Sequence, residues 1–309
     1  MPHPAGTTAR NIAKGKAALI TSRENRWIKK FRAALSGELV DDGIVGVEGV
    51  RLVESALGSG LPVEALLVSE SGERQLSRIG SKLDSATFAD GRPTPLLRTS
   101  DKLFAGVADT QAPQGIAALV RPRRAAIEDL MQGLALVVAL VGVQDPGNVG
   151  TIIRAADACG ATGVATCAAD AIGTADPFGP KAVRASAGSA LRLPIAHSVS
   201  AAILLAKLRA SGVKVHAAVA PTARPAVGSG TPTAPMRPWD VDWGKSAAIM
   251  IGNEGAGLPR ELVDAADVRV YIPQNTQAGH EGIDSLNAAM AASVLLYEVM
   301  RQRAAAEVD

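Results

Sequence analysis

Cysteine is scarce. The 309 residues hold two, Cys159 and Cys167, too few for a disulfide framework or a cysteine metal site. A reducing, cytoplasmic setting is the expectation. Histidine is almost as thin: His3, His197, His216 and His280 are scattered along the chain, which speaks against a histidine metal centre or a Ser/His/Asp triad. No metal is expected. Aromatics make up only 3% of the residues, so the core must come from Ala, Val, Leu and Ile within a hydrophobic fraction of 47%. No apolar run reaches the roughly 20 residues that span a bilayer, and no membrane partner is expected. LALVVALV (134–141) comes nearest and suits a buried strand. The basic, acid-free opening MPHPAGTTARNIAKGKAALI reads as a loose tail over residues 1–20, not as a signal peptide.

The formal net charge of +2 is small, but its distribution is uneven. Residues 1–32 hold eight Lys/Arg against one Asp/Glu. A basic front end is the footprint of a phosphate-binding surface, and equally of a solvated tail. Arg23, Arg26, Lys29, Lys30 and Arg32 are interleaved with Trp27, Ile28 and Phe31. That spacing predicts a helix over 22–36 with one basic face, opened by Thr21 or Ser22, and favours phosphate binding by Arg23, Arg26, Lys29, Lys30 and Arg32.

Beyond that helix, GIVGVEGVRLVESALGSG (43–60) reads as strand, glycine turn and helix, VEALLVS (63–69) as a strand, and QGIAALVRP (114–122) as a closing strand. Residues 21–120 thus form a small α/β domain. RPRRAAIEDLMQG (121–133) reads as a linker, and residues 134–309 as a second domain. There ALVVALVG (135–142), GVATCAA (163–169), KVHAAVA (214–220), SAAIMIG (246–252) and VRVYIP (268–273) read as strands. Helices are expected over 149–160, closed by Gly160, over 201–210 and over about 285–303. The alternation argues for a parallel sheet.

In such a sheet, ligands collect at the carboxyl ends of the strands. Three loops stand there. GVQDPGNVGTIIRAAD (142–157) lacks both the P-loop ending and G-x-G-x-x-G; Asn148 sits where a cap would be, and Arg154 could pair with Asp157. IGNEGAGLP (251–259) sets Glu254 among glycines, as a tight turn or a ligand cradle. DSLNAAMAASVLLYE (284–298), preceded by YIPQ (271–274), opens the last helix, with Asp284 or Ser285 as its cap and Asn287 in its first turn.

In order and context, these three segments resemble the motifs of the SpoU-like (TrmH-type) RNA ribose methyltransferases of the SPOUT superfamily. The resemblance covers about 126–303 and takes in KAVRASAGSALRLP (181–194), where Arg184 is a further candidate RNA contact. Residues 22–120 resemble the family's L30e-like substrate-binding domain. The resemblance implies a parallel α/β sheet with a C-terminal trefoil knot, S-adenosyl-L-methionine as cofactor, and a homodimer formed partly through the final helix. It implies cofactor contacts at Ile251, Gly252, Ile272, Pro273 and Leu286, and catalytic roles for Arg154, Asn148, Glu254, Ser285 and Asn287. In the family the arginine matching Arg154 is thought to assist deprotonation of the ribose hydroxyl. A guanidinium gives up its proton too reluctantly to be a good free base, so Arg154 reads more readily as a phosphate grip. One departure stands out: QNTQAGHEGID (274–284), with His280 and Glu281, is longer than the usual family loop.

The expected activity is 2′-O-ribose methylation of a structured RNA, ribosomal RNA first and transfer RNA second. A nonenzymatic RNA-binding protein is the alternative, to which the set Asn148, Arg154, Glu254 and Asn287 is surplus. A nucleotide-dependent dehydrogenase would need the G-x-G-x-x-G fingerprint that is missing.

Overall fold

A computed structural model describes residues 18–38, 43–84, 93–169, 171–221, 234–274 and 286–306. In chain order the first elements are β1 (Ala18–Ile20), α1 (Arg26–Ser36), β2 (Val45–Glu48), α2 (Val50–Gly58), β3 (Val63–Ser69), α3 (Leu76–Asp84), β4 (Leu96–Thr99), α4 (Asp101–Ala105) and β5 (Ile116–Val120). They are followed by β6 (Leu136–Val141), α5 (Pro146–Ala158), β7 (Gly163–Cys167), α6 (Pro180–Ala185), β8 (Ile195–Val199), α7 (Ala201–Ala210) and β9 (Lys214–Val219). The last are β10 (Ala247–Ile251), α8 (Arg260–Ala265), β11 (Val268–Tyr271) and α9 (Ala288–Ala306). The chain divides into two units, Met1–Arg123 with Phe178–Arg192, and Arg124–Pro177 with Leu193–Asp309.

The first unit carries a mixed sheet in the order β1-β4-β3-β5-β2. Ile28 and Phe31 of α1 are fully buried against it, each contributing about 2 kcal/mol through lost apolar exposure. The helix lies so close to β2 that a Cβ on Gly46 would stand 2.8 Å from the Ala34 carbonyl carbon. Two expectations change here. The cap of α1 is Asn25, whose side chain accepts the Trp27 N–H at 2.9 Å, not Thr21 or Ser22. Part of the expected tail, Ala18–Ile20, is an edge strand parallel to β4.

Residues 178–192 also pack in this first unit, although their position in the chain reads as the second domain. The small-residue run explains the close fit. Ala182 and Val183 are buried, the Ser55 hydroxyl donates to the Gly188 carbonyl at 3.5 Å, and Arg192 donates to the Ser55 hydroxyl at 2.6 Å.

The second unit is a six-stranded sheet, all parallel, in the order β11-β9-β10-β6-β7-β8. Every residue of β6 is buried, as a central strand covered on both faces must be. From β6 the chain runs outward through β7 and β8, then crosses to the other side for β9, β10 and β11. The strand order therefore reverses between β6 and β10, and the crevice at their carboxyl ends is where a parallel sheet takes ligands. Gly160 ends the turn after α5 in the left-handed conformation, φ 75°.

Candidate active site

Three segments meet at this crevice: the loop leaving β6, the loop leaving β10, and the start of α9. Asp145 caps α5 by accepting the Gly147 N–H at 2.9 Å, with Pro146 in the first turn. Asn148, read as a candidate cap, is thereby released, and its side chain points elsewhere. Its amide donates to Glu254 Oε1 at 2.9 Å, while its oxygen accepts the Asn287 side-chain amide at 3.1 Å. Asn287 itself caps α9, its Oδ1 accepting the N–H groups of Ala289 and Met290 at 2.8 and 3.3 Å. The sequence offers Asp284 or Ser285 for that role; both lie outside the described residues, as do His280 and Glu281. A helix beginning at Ala288 needs its cap at 287.

Glu254 is the hub. Besides Asn148, it accepts the backbone N–H groups of Gln144 at 3.3 Å and Asp145 at 3.4 Å. Partial burial works against the charge, but the Asn148 amide and the surrounding N–H groups outweigh it and hold the carboxyl below its ordinary value of 4.5. Glu254 is thus an acceptor that ties two loops together.

Asn253, not singled out from the sequence, does comparable work. Its amide donates to the Gly142 carbonyl at 2.8 Å, and its Oδ1 accepts the Gly255 and Ala256 N–H groups, both at 2.9 Å. The turn closes on itself through paired Asn253 and Gly257 backbone bonds of 3.0 Å. Only the local Asx-turn pattern of Asn followed by Glu-Gly was available to signal it.

Beside this turn is a cavity of about 240 Å³ whose walls include Ile251, Gly252, Glu254, Ile272 and Leu286. Four of the five expected cofactor contacts line it; Pro273 is exposed and does not, and Gln274 takes its place on the wall. Gly252 is obligatory, since a Cβ there would lie 2.4 Å from the Gly257 carbonyl carbon. Aliphatic side chains and bare backbone side by side suit a ligand with a flat apolar ring and a polar edge, and S-adenosylmethionine is of that kind.

Arg154 lies two turns along α5, exposed and without an ion-pair or hydrogen-bond partner among the described residues. Of the basic residues on and before α1, Lys29 pairs with Glu24 at 2.6 Å and Lys30 with Glu64 at 2.5 Å. Arg26 lies over the Trp27 ring at 5.4 Å, Arg23 is exposed, and Arg184 pairs with Asp109 at 2.7 Å.

The sequence model of the SpoU rRNA Methylase family matches residues 135–297, and that of the MRM3-like substrate binding domain matches residues 41–118. The chain is 32% identical over 281 residues to the 23S rRNA (guanosine(2553)-2′-O)-methyltransferase RlmP of Bacillus subtilis, covering 91% of this chain and 98% of that protein. Its fold is similar to the crystal structure of an AdoMet-bound rRNA methyltransferase from Sinorhizobium meliloti, with a TM-score of 0.73, 30% identity, and coverage of 92% and 97%. It is also similar to the SpoU methyltransferase AviRb from Streptomyces viridochromogenes in complex with AdoMet, with a TM-score of 0.72, 28% identity, and coverage of 91% and 99%. Crevice, cradle and matches agree, and the chain belongs to the SpoU rRNA methylase family.

Proposed function

We propose that this protein methylates the 2′-hydroxyl of a ribose in ribosomal RNA, with S-adenosylmethionine as methyl donor. The observation that carries the reading is the hydrogen-bonded chain Asn287–Asn148–Glu254 at the lip of the cavity beside Gly252. When bound, the cofactor supplies an electrophilic methyl group on a sulfonium. The residues of the chain do the rest. Gly252, Ile251, Ile272 and Leu286 hold the donor, and Glu254 locks the two loops so that Asn148 and Asn287 present a fixed polar edge to the ribose. Alignment of this kind can supply roughly 7–11 kcal/mol of barrier reduction. Arg154 grips a substrate phosphate through its planar fork and orients the hydroxyl. Ser285 joins this set on the family resemblance.

The enzyme works as a homodimer seated on α9, where Met290, Val294 and Tyr297 are 60%, 44% and 58% exposed and follow one another at helical spacing. The family's trefoil knot is expected at the carboxyl end of the second unit. With ribosomal RNA as its substrate, the enzyme acts in the cytoplasm.

The test is transfer in vitro. Purified protein, a 23S ribosomal RNA transcript and methyl-labelled S-adenosylmethionine should give label in a 2′-O-methylnucleoside after nuclease digestion. Label in a methylated base, or none in RNA, overturns the proposal.

A further inference from the structure

The first unit holds a second cavity, of about 630 Å³, unlike the first in chemistry. Arg51 at the start of α2, Arg74 just before α3 and Arg78 within α3 line it, together with the amides of Gln75 and Gln114 and the ring of Pro113. Among the described residues, no carboxylate is on its wall. The counter-charges nearby are few and already committed. Glu54 is shared between Arg78 at 3.1 Å and Lys82 at 3.2 Å. Asp101 accepts the Ser71 N–H and hydroxyl at 3.0 and 2.7 Å. Glu73 pairs with Arg98 at 2.9 Å. Arg51 and Arg74 are exposed and have no ion-pair partner among the described residues.

This contrasts with the basic helix singled out in the sequence, where Lys29 and Lys30 are both consumed by glutamates. Arginines without an ion-pair partner among the described residues therefore stand in the groove between α2 and α3, as well as at Arg23 and Arg26. An arginine presents five donors in a planar fork that matches phosphate oxygens two at a time. Two unpaired forks, a third held by Glu54, and two flanking amides suit a phosphodiester with its sugar.

Resting on the functional reading above, we infer that the groove of Arg51, Arg74 and Arg78 binds the phosphate backbone of the RNA substrate. It recognises backbone and not base edges, so it holds the RNA without reading its sequence.

The experiment measures binding of a labelled 23S ribosomal RNA transcript to the full-length protein over a range of salt concentrations. Each phosphate contact adds about one to the slope of log affinity against log salt. Arg51→Gln and Arg74→Gln should each flatten the slope by about one, and the double variant by about two, with affinity about tenfold weaker or more at moderate salt. S-adenosylmethionine affinity, measured on the same preparations, should not move. Arg51→Lys with Arg74→Lys should restore the slope, because lysine keeps the charge; Lys245→Gln, an exposed lysine on the other unit, should leave affinity and slope unchanged. An R51Q/R74Q protein that binds with parental affinity and slope overturns the groove alone. So does weaker binding with an unchanged slope, which marks a merely structural role. A parent protein that binds no ribosomal RNA overturns the functional reading, and the groove with it.

Discussion

Glu254 Oε1 accepts the side-chain amide of Asn148 at 2.9 Å, joining the loop after β10 to the first turn of α5 across 106 residues of sequence. The bond explains why a glutamate sits between glycines at the mouth of the crevice. It fixes the orientation of Asn148, whose oxygen is then free to receive Asn287.

Glu254→Gln should break this arrangement while keeping its shape. The backbone N–H groups of Gln144 and Asp145 lose an ionised acceptor, worth about 1–2 kcal/mol in orientation. Turnover should fall about ten- to thirtyfold, with the unfolding temperature nearly unchanged. The pH dependence has a definite sign. The folded carboxyl lies below 4.5, so its contribution is fully present above that pH and is lost only as pH falls through the lowered value. A turnover profile that declines on acidification from neutrality must have another cause, and the Gln variant should share that decline.

Gly252→Ala would push a Cβ to 2.4 Å from the Gly257 carbonyl carbon. The turn must shift, at a cost of about 1–3 kcal/mol. Calorimetry should record S-adenosylmethionine binding at least about tenfold weaker. Unaltered affinity would remove the turn from the cofactor site.

Asn253→Ala deletes one donor and two accepted N–H bonds at once. The expected loss is about 1–3 kcal/mol, again seen as weakened cofactor binding. Asn253→Asp keeps the acceptor for Gly255 and Ala256 but not the donor to Gly142, and should fall between the two.

His216 makes a prediction away from the site. Its ring is buried against Trp243, with centroids 4.4 Å apart, and Nε2 has no hydrogen-bond partner among the described residues. Burial pushes it down to about 4 from 6.5, so it is neutral in the folded protein. Between those values the unfolded chain binds the extra proton, and stability must fall as pH drops from 6.5 toward 4, by ~3 kcal/mol at most. Denaturant unfolding at several pH values should show this slope, and His216→Phe should flatten it.

The βαβ alternation of the second half was legible because β6 is apolar on both faces and each following strand is bounded by a turn residue. The meeting of Asn148, Glu254 and Asn287 was legible as motif order, since each follows a different strand end. The helix caps were not. Asn25, Asp145 and Asn287 each stand within a few residues of other good cap formers, and only backbone geometry chooses among them. Asn253 escaped notice because its partner, the Gly142 carbonyl, is 111 residues away in sequence. The placement of 178–192 in the first unit was equally hidden, since a run of alanine, serine and glycine carries no periodicity that names its neighbour.

The most direct test of the whole account is a nucleotide-by-nucleotide map of ribose methylation across the ribosomal RNAs of cells with and without the gene. One 2′-O-methyl mark should be missing without the gene and return when the intact gene is restored, but not when the Arg154→Ala form is supplied. An unchanged ribose map, or loss of a methyl group from a base instead, would contradict it.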